Sequence, residues 1–362
     1  MPLLRPLHPG QHIAGYELGD CLAEGALVST WKATESSTGV RVALKTIPLA
    51  SLDDPDTEDA LLEEATLAKN FRGPGVAPLL AFGRDAGVLF VAYGWVDGVE
   101  LDGLLQQTAE RGPLPQEIAL RLLVDFCATL AAIHDAGLVH QAVAPGNVMI
   151  GVDGHLKLLG LGVGVLNRSS SATTFRHMVG KFSYLSPEQL WSRPVDRASD
   201  VFSAGLIAFE LLTGKHPFRG RNDRETTAKI LAPTEAQPAA ELVALPPAVD
   251  ACILRALRKT PPDRFPSAVD MQAALLDALQ HTRALASSTD VAELCRSWLQ
   301  VEMTPAAPPS GALPPPSSAA FSGAATQELP ALRPEPSPPR WAWVLVVALV
   351  CIGGVLAWWV LR

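Results

Sequence analysis

The sequence of 362 residues predicts an α+β fold of two lobes, a small β-rich N-terminal lobe and a larger helical C-terminal lobe, followed by one transmembrane helix. Three observations lead to this fold class. Short, partly alternating runs rich in β-branched residues fill the first third, which is the pattern of strands. Longer segments with an apolar helical face follow. The last segment is apolar and uncharged.

Each element of the two lobes has its own sequence signal. Alternation predicts strands at Tyr16–Ala23, Val28–Ala33, Val40–Ile47, Ala77–Phe82 and Val88–Tyr93, with a helix over Thr57–Phe71 between them. The strongest helix pattern runs over Pro115–Ala136 and stops at Gly137. Further elements are two short strands, Val148–Gly151 and His155–Leu159, and helices at Ala198–Thr213, Pro247–Leu257 and Ala268–Leu279.

Composition divides the chain into five regions. Residues 1–15 form an N-terminal extension, and residues 16–285 form the globular domain, whose lobes meet near residues 96 and 97. A helical extension at 286–302 follows. Residues 303–340 are rich in Pro, Ala and Ser and predict a disordered linker, because consecutive prolines preclude regular helix. Residues 341–361 are the predicted transmembrane helix.

Charge and cysteine usage exclude several classes of protein. The formal net charge is −8 and no basic face is visible, so we expect no nucleic-acid partner. The five cysteines are far apart and lack zinc-ligand or redox spacing, which suits a reducing compartment. We therefore expect neither a structural metal nor a disulfide framework.

The stretch Trp341–Leu361 predicts a membrane anchor. It carries no charge, and a helix of about 20 residues spans a bilayer core of about 30 Å. Tryptophans lie near both ends, where an aromatic belt is expected, and Arg340 and Arg362 flank the stretch. Because only Arg362 need lie beyond the bilayer, we expect a single-pass protein of the cytoplasmic membrane with its globular domain in the cytoplasm.

A series of motifs follows the predicted elements in a fixed order and spacing. The motifs are Leu22–Val28, Val42–Lys45, Glu64, Tyr93–Gly98, His140–Asn147, Gly160–Gly162, Ser186–Glu188, Asp200 and Arg264. No single motif is specific, but the series resembles the eukaryotic-like Ser/Thr protein kinase family, particularly its bacterial membrane-bound members. The resemblance covers Tyr16–Leu279, which makes residues 16–285 a protein-kinase-like domain.

The resemblance implies a nucleotide-binding cleft between the lobes. The residues that it places there are Ala23, Gly25, Val28, Ala43, Lys45, Glu64, Tyr93, Val96 and Asn147. It implies that Lys45 pairs with Glu64 and that Asn147 matches the second metal ligand. Tyr93 is at the gatekeeper position, before a hinge at Gly94–Val96 that meets adenine.

The resemblance also implies structural and regulatory positions in the large lobe. Glu188 and Arg264 are expected to form a buried ion pair, and Asp200 is expected to brace the catalytic loop through backbone amides. Gly180–Glu188, with Tyr184, resembles the substrate-docking end of the activation segment. Candidate phospho-acceptors for a partner kinase, in what is otherwise a flexible polar loop, are Ser169, Ser170, Ser171, Thr173 and Thr174.

The family's catalytic and metal-binding side chains are missing. Ala142 occupies the position of the catalytic-loop aspartate, and a methyl group cannot accept or orient a proton. Ala144 occupies the position of the loop lysine. Gly160 occupies the position of the metal-binding aspartate, although Mg²⁺ prefers carboxylate ligands.

Two further departures concern phosphate. The glycine-rich loop keeps Gly25, but Ala23 and Val28 replace the other two glycines, and branched Val28 hinders close approach of amides to phosphate. Gln141 replaces the loop arginine, so phosphorylation of the activation segment lacks its usual cationic receiver there.

These departures predict a pseudokinase that scaffolds or allosterically regulates a protein partner, such as an active kinase or another signalling protein. Two alternatives remain open. One is an atypical active Ser/Thr kinase that transfers phosphate from ATP to protein hydroxyls. The other is an ATP-binding switch without phosphate transfer. We expect ATP to bind weakly at most and Mg²⁺ to be poorly coordinated, since Gly160 offers no ligand.

Overall fold

The computed structural model describes residues 7–25, 27–52, 55–167, 182–280 and 285–303. A small lobe of strands precedes a larger helical lobe within the unit Met1–Pro305, so the predicted two-lobed α+β fold is confirmed. Within the described ranges no helix is long and apolar enough to cross a membrane. The linker from residue 304 and the predicted span at 341–361 lie outside those ranges.

The small lobe is a six-stranded sheet in the order β1-β2-β3-β4-β6-β5. Its strands are β1 (His12–Ile13), β2 (Tyr16–Glu24), β3 (Ser29–Glu35), β4 (Arg41–Pro48), β5 (Leu79–Asp85) and β6 (Val88–Gly94). Alternate side chains of β4 face opposite sides of the sheet. Ala43 and Ile47 join the main core with helix α1 (Pro55–Lys69), whereas Val42 and Leu44 join a separate outer cluster around Trp31.

The sheet begins at His12, four residues before the domain boundary predicted at residue 16. β1 pairs with β2 through Ile13 and Tyr16, and Ile13 is fully buried in the outer cluster. A strand of two residues is too short to show any periodicity, so the sequence pattern could not reveal it.

The large lobe is built around two largely buried helices, Gln116–Asp135 and Arg197–Thr213. Its helices are α2 (Leu101–Arg111), α3 (Gln116–Asp135), α4 (Pro187–Leu190), α5 (Arg197–Thr213), α6 (Asp223–Leu231), α7 (Pro247–Ala256), α8 (Ala268–Leu279) and α9 (Ser288–Met303). The predicted apolar face of α3, from Ile118 to Ile133, is buried. Helix α5 starts at a capping box between Asp196 and Ser199 and ends before Gly214, whose φ of 67° suits a left-handed cap.

Several short elements of the large lobe had no sequence prediction. Helix α6 buries only Thr226 and Ile230, so its apolar stripe is too short to give a helical pattern. A second sheet has three strands in the order β7-β8-β9. It pairs the predicted hairpin, β8 (Val148–Gly151) and β9 (Leu156–Leu158), with the unpredicted strand β7 (Gly98–Glu100).

Helix α9 is an integral part of the globular domain and not a separate extension. It packs against β7 and β8, and it buries Val291, Ala292, Cys295 and Trp298. The Cys295 thiol donates to the carbonyl of Ile150 at 3.3 Å. The boundary predicted between residues 285 and 286 therefore falls inside the folded unit, because a helix pattern does not say what the helix packs against.

The ion pair between Glu188 and Arg264 is buried in the large lobe. Arg264 Nη1 and Nη2 donate to the two carboxylate oxygens at 2.7 and 2.9 Å. The other three guanidinium donors reach the carbonyls of Ala198, Arg258 and Lys259, so all five are used. The segment that precedes α8 is thereby tied to the start of α4.

The environment of Glu188 favours its charged form. Burial raises the pKa of Glu188, but hydrogen bonds and charge from Arg264, together with the Ser199 hydroxyl, outweigh burial and hold it below the usual value of 4.5. Because the pKa of Glu188 is lower in the folded protein than in the unfolded chain, its ionised carboxylate stabilises the fold at pH values above 4.5. That stabilisation is lost as the pH falls through the lowered pKa.

We predict that Arg264→Ala lowers the free energy of unfolding by about 3–5 kcal/mol, because it leaves a buried carboxylate without its counter-charge. Arg264→Lys should not restore stability, since lysine cannot reproduce five fixed donors. Urea unfolding at neutral pH measures the loss. The control is Arg221→Ala, which removes an exposed pair with Glu225 and should leave the urea midpoint unchanged. Equal midpoints for the Arg264 and Arg221 variants would contradict the prediction.

Candidate functional site

A narrow apolar cleft lies between the lobes. Of the residues predicted around the nucleotide, Ala23, Ala43, Lys45 and Val96 line it. Leu22, Thr30, Trp95, Glu100, Gly146, Met149 and Leu159 complete the lining. The cleft volume of about 90 Å³ is well below the roughly 300–1,000 Å³ usual for ligand pockets.

The turn between β2 and β3 is folded onto itself. The amide of Gly25 donates to the carbonyl of Val28 at 3.1 Å, and a Cβ atom on Gly25 would lie only 2.7 Å from that oxygen. Leu27 is 3% exposed and belongs to the main hydrophobic core. The tip of this loop therefore turns an apolar side chain into the protein, and the Gly25 amide already has an acceptor.

Lys45 and Glu64 each have contacts with the large lobe. Lys45 is 7% exposed, and its Nζ donates to Asn147 Oδ1 at 2.8 Å. The Glu64 carboxylate accepts the amides of Gly164 and Val165 at 2.9 and 2.7 Å, which ties α1 to the segment after Gly160. The pairing of Lys45 with Glu64 stays a prediction.

Tyr93 is fully buried behind the cleft. Its hydroxyl donates to the carbonyl of Leu161 at 2.9 Å, and its ring centroid lies 5.9 Å from the Lys45 ammonium. Burial raises the pKa of Tyr93, and the charge of Glu64 raises it further, so the phenol stays protonated. The Tyr93 side chain therefore joins β6 to the Gly160–Gly162 turn.

The Asp200 carboxylate holds the loop at His140 and Gln141 through hydrogen bonds. Its carboxylate accepts the amides of His140 and Gln141 at 2.7 and 2.8 Å and the Nε2–H of His134 at 3.0 Å. This is the bracing that the resemblance implies for Asp200. Gln141 has a φ of 61°, a conformation uncommon outside glycine, and the two amide contacts on either side of that turn help to fix it.

His140 is neutral and buried within the same loop. Its Nδ1 accepts the amide of Ala142 at 3.3 Å, so Nε2 is the protonated nitrogen that faces the carbonyl of Leu159 at 3.1 Å. Burial lowers the pKa of His140 to about 4, although the charge of Asp200 opposes it. The ring therefore links the catalytic loop to the end of β9 without carrying charge at neutral pH.

Sequence reasoning missed two side chains that fix Gln141. Gln189 Nε2 and Asn167 Nδ2 each donate to the Gln141 carbonyl at 2.8 Å. Gln189 also forms a capping box with Ser186 at the start of α4, and the S-x-x-Q spacing could have identified that much. No sequence pattern pointed to Asn167, because its contact with Gln141 depends on how the chain folds after Gly160.

The centre of the site contains no acidic side chain at either expected position. Ala142 is buried, and its carbonyl accepts Asn147 Nδ2 at 2.7 Å. Gly160 has a φ of 86°, and a Cβ atom there would lie 3.1 Å from the Asn147 carboxamide. Asp153 does not substitute for them, since its Oδ1 accepts the amide of His155 within the β8–β9 turn.

The donor set does not fit a magnesium nucleotide. Mg²⁺ binds through carboxylates together with substrate phosphates. Here Ala142 has only a methyl group, Gly160 has no side chain, and the Asn147 carboxamide contacts Lys45. Among the described residues, no group of three or more His, Cys, Asp or Glu side chains could hold a metal ion. Poor coordination of Mg²⁺ stays a prediction.

The substrate-docking end of the activation segment is described only from Phe182 onwards. The Tyr184 hydroxyl donates to Glu210 on α5, and the ring meets His216 edge-on at 5.3 Å. Ser169, Ser170, Ser171, Thr173 and Thr174, the candidate phospho-acceptors, lie outside the described residues.

Comparison with known proteins identifies the family. The family profile described as "Protein kinase domain" matches residues 16–304, which includes helix α9. The chain belongs to the protein kinase family. Its kinase domain therefore extends beyond the predicted limit at residue 285.

Bacterial serine/threonine-protein kinases are among the relatives of this kinase domain. The probable kinase PknB of Corynebacterium glutamicum is 29% identical over 300 residues, which cover 81% of this chain and 45% of that protein. PksC of Streptomyces coelicolor is 31% identical over 274 residues, which cover 73% and 49%. This chain thus spans about half the length of the curated relatives it matches.

A solved structure shares the fold of the kinase domain. The PknI kinase domain of Mycobacterium tuberculosis superposes with a TM-score of 0.59 at 23% identity, covering 76% of this chain and 100% of that domain. At that identity the likeness supports the two-lobed kinase fold alone.

Proposed function

We propose that this protein is a membrane-anchored pseudokinase, a kinase-shaped module that scaffolds or regulates a signalling partner without transferring phosphate. One observation carries the proposal. The two positions that need a carboxylate hold Ala142 and Gly160, and the Asn147 carboxamide between them contacts Lys45.

The usual contributions of these groups to a reaction rate indicate how far the rate of phosphate transfer falls without them. A positioned acid or base contributes roughly 10²- to 10⁴-fold to a rate. Metal stabilisation supplies several kcal/mol more, at about 1.4 kcal/mol per decade. The two effects are not additive, but a typical kinase rate of about 1–100 s⁻¹ falls by several decades without them.

The parts of the fold that do not perform chemistry are intact. Arg264 uses all its donors, Asp200 braces the catalytic loop, and Glu64 ties α1 to the activation segment. A sequence that keeps these contacts while lacking both carboxylates supports a role as a binding surface for another protein.

We predict no detectable transfer of labelled phosphate from ATP to the full chain or to generic protein substrates, with Mg²⁺ or Mn²⁺ present. Lys45→Ala should give the same background. Incorporation that requires the metal and disappears in Lys45→Ala would contradict the proposal.

The second candidate is an active, atypical Ser/Thr kinase, and the names of the relatives as kinases favour it. The double variant Ala142→Asp with Gly160→Asp separates the two functions in the same assay. If the missing carboxylates limit the protein, the double variant should raise incorporation by about 10²-fold or more. If incorporation is already present and the variant leaves it unchanged, the chain is an active kinase with another arrangement.

We also propose that Trp341–Leu361 anchors the protein in the cytoplasmic membrane, with the kinase domain in the cytoplasm. The proposal rests on the uncharged apolar stretch and its flanking tryptophans. The full chain should remain in the membrane pellet after alkaline extraction, and a chain that ends at Met303 should not. Release of the full chain by alkali would contradict the anchor.

A further inference from the structure

A second cavity lies between helix α1 and the segment that follows helix α3. Its volume of about 300 Å³ reaches the range usual for ligand pockets, and it shares no lining residue with the cleft described above. Ala60, Glu63, Glu64 and Leu67 form the α1 wall, at the spacing of one helical face. Residues 137–139 form the opposite wall. The cavity is therefore a candidate site separate from the cleft.

The polar side chains of this cavity are acceptors of hydrogen bonds. Glu63 and Glu64 contribute carboxylates, and no Lys, Arg or His side chain is among the residues that line the cavity. Gln141 also lines it, and the Gln141 Oε1 atom is buried without a hydrogen-bond donor among the described residues. A buried acceptor that lacks a donor costs free energy. What the cavity lacks is a positively charged donor.

The end of helix α3 adds to the negative potential beside the cavity. Helix α3 ends at Asp135, and the carbonyl end of a helix carries a partial charge of about half an elementary negative charge. Asp135 is exposed just before the wall at residues 137–139. Lys69 at the end of α1 points elsewhere, since its ammonium lies over the Phe82 ring, 5.8 Å from the ring centroid. The site therefore attracts a cation from outside.

The other surfaces of the cavity are apolar. Leu138, Val139 and Leu161 contribute aliphatic surface, and Leu67 is 55% exposed beside them. An arginine side chain matches both parts, because its methylene stem packs on apolar surface and its planar guanidinium offers five donors to carboxylate and carboxamide oxygens. A lysine offers one compact and more strongly hydrated charge. The chemistry of the cavity therefore favours arginine.

We propose that this cavity is the docking site for an arginine side chain of the protein partner, which then binds across α1 and the end of α3. The inference rests on the proposed function, because a scaffold needs a surface that recognises its partner. Charge complementarity makes the matching surface of the partner basic. Arginine is also among the residues that contribute most to protein–protein binding.

Two probes of nearly the same shape test the site on the full chain in detergent. N-benzoyl-arginine amide carries the guanidinium, and N-benzoyl-citrulline amide replaces it with an uncharged urea. Ligand-observed NMR titration, with protein-free micelles as the blank, measures both Kd values. The arginine probe should bind with a Kd below about 1 mM and about tenfold or more tighter than the citrulline probe. Equal Kd values, or no binding of the arginine probe at millimolar concentration, would overturn the proposal.

A charge variant tests the role of Glu63. Glu63→Gln keeps the size of the side chain and should weaken the arginine probe by about 3- to 10-fold, with a smaller effect on the citrulline probe. Glu241→Gln is the matched control, because Glu241 is exposed on the large lobe and lines neither cavity. The site is wrong if the two variants bind the arginine probe equally well.

The chain itself is the other source of a guanidinium. Arg168 and Arg176 belong to the segment after Asn167, which lies outside the described residues, and Asn167 contacts the Gln141 carbonyl at 2.8 Å. The double variant Arg168→Ala with Arg176→Ala should bind the arginine probe with the affinity of the natural chain. Binding that appears only in the double variant would mean that the chain fills its own cavity, and the partner site would be overturned.

The phosphate-transfer assay keeps this inference separate from the proposed function. Transfer by the natural chain contradicts the pseudokinase, whatever the probes show. Equal binding of the two probes without phosphate transfer contradicts only the arginine site.

Discussion

The ammonium of Lys45 and the carboxamide of Asn147 meet at the centre of the cleft, and the interpretation of the site depends on this contact. No carboxylate stands at position 160, where Gly160 lies beside the Asn147 carboxamide. An ammonium with little exposure to water needs an acceptor, and the Asn147 oxygen supplies one.

The framework of the large lobe is independent of that substitution. Asp200 fixes the loop that contains Ala142 through backbone amides, which are present whatever the side chain at that position. The guanidinium of Arg264 is used entirely within the large lobe. These contacts do not involve a ligand, so they hold the kinase fold whatever side chains stand at positions 142 and 160.

The sequence predicted the elements with strong periodicity and the residues that belong to spaced motifs. The face of α3 from Ile118 to Ile133 repeats regularly enough to place a helix, and the positions of Glu188 and Arg264 follow from motif spacing. The strand β1 and the docking of α9 could not be predicted, because one is too short for periodicity and the other depends on tertiary packing.

Within the site, the sequence identified which groups are absent but not how the remaining groups rearrange. Lys45 and Asn147 are 102 positions apart, and nothing local to either predicts their contact. The burial of Leu27 at the loop tip likewise depends on space within the folded core. Gln189 and Asn167 meet the Gln141 carbonyl only after the chain folds beyond Gly160. Partners of this kind follow from three-dimensional proximity, which a single sequence does not contain.

Electron paramagnetic resonance of Mn²⁺ tests the central claim, that the site holds no divalent metal. Mn²⁺ favours the same oxygen ligands as Mg²⁺, and its spectrum changes when protein ligands replace water. With a non-hydrolysable ATP analogue present, adding the full chain should leave the spectrum of the free Mn²⁺–nucleotide complex unchanged. A protein-bound spectrum that saturates at one Mn²⁺ per chain would contradict the account.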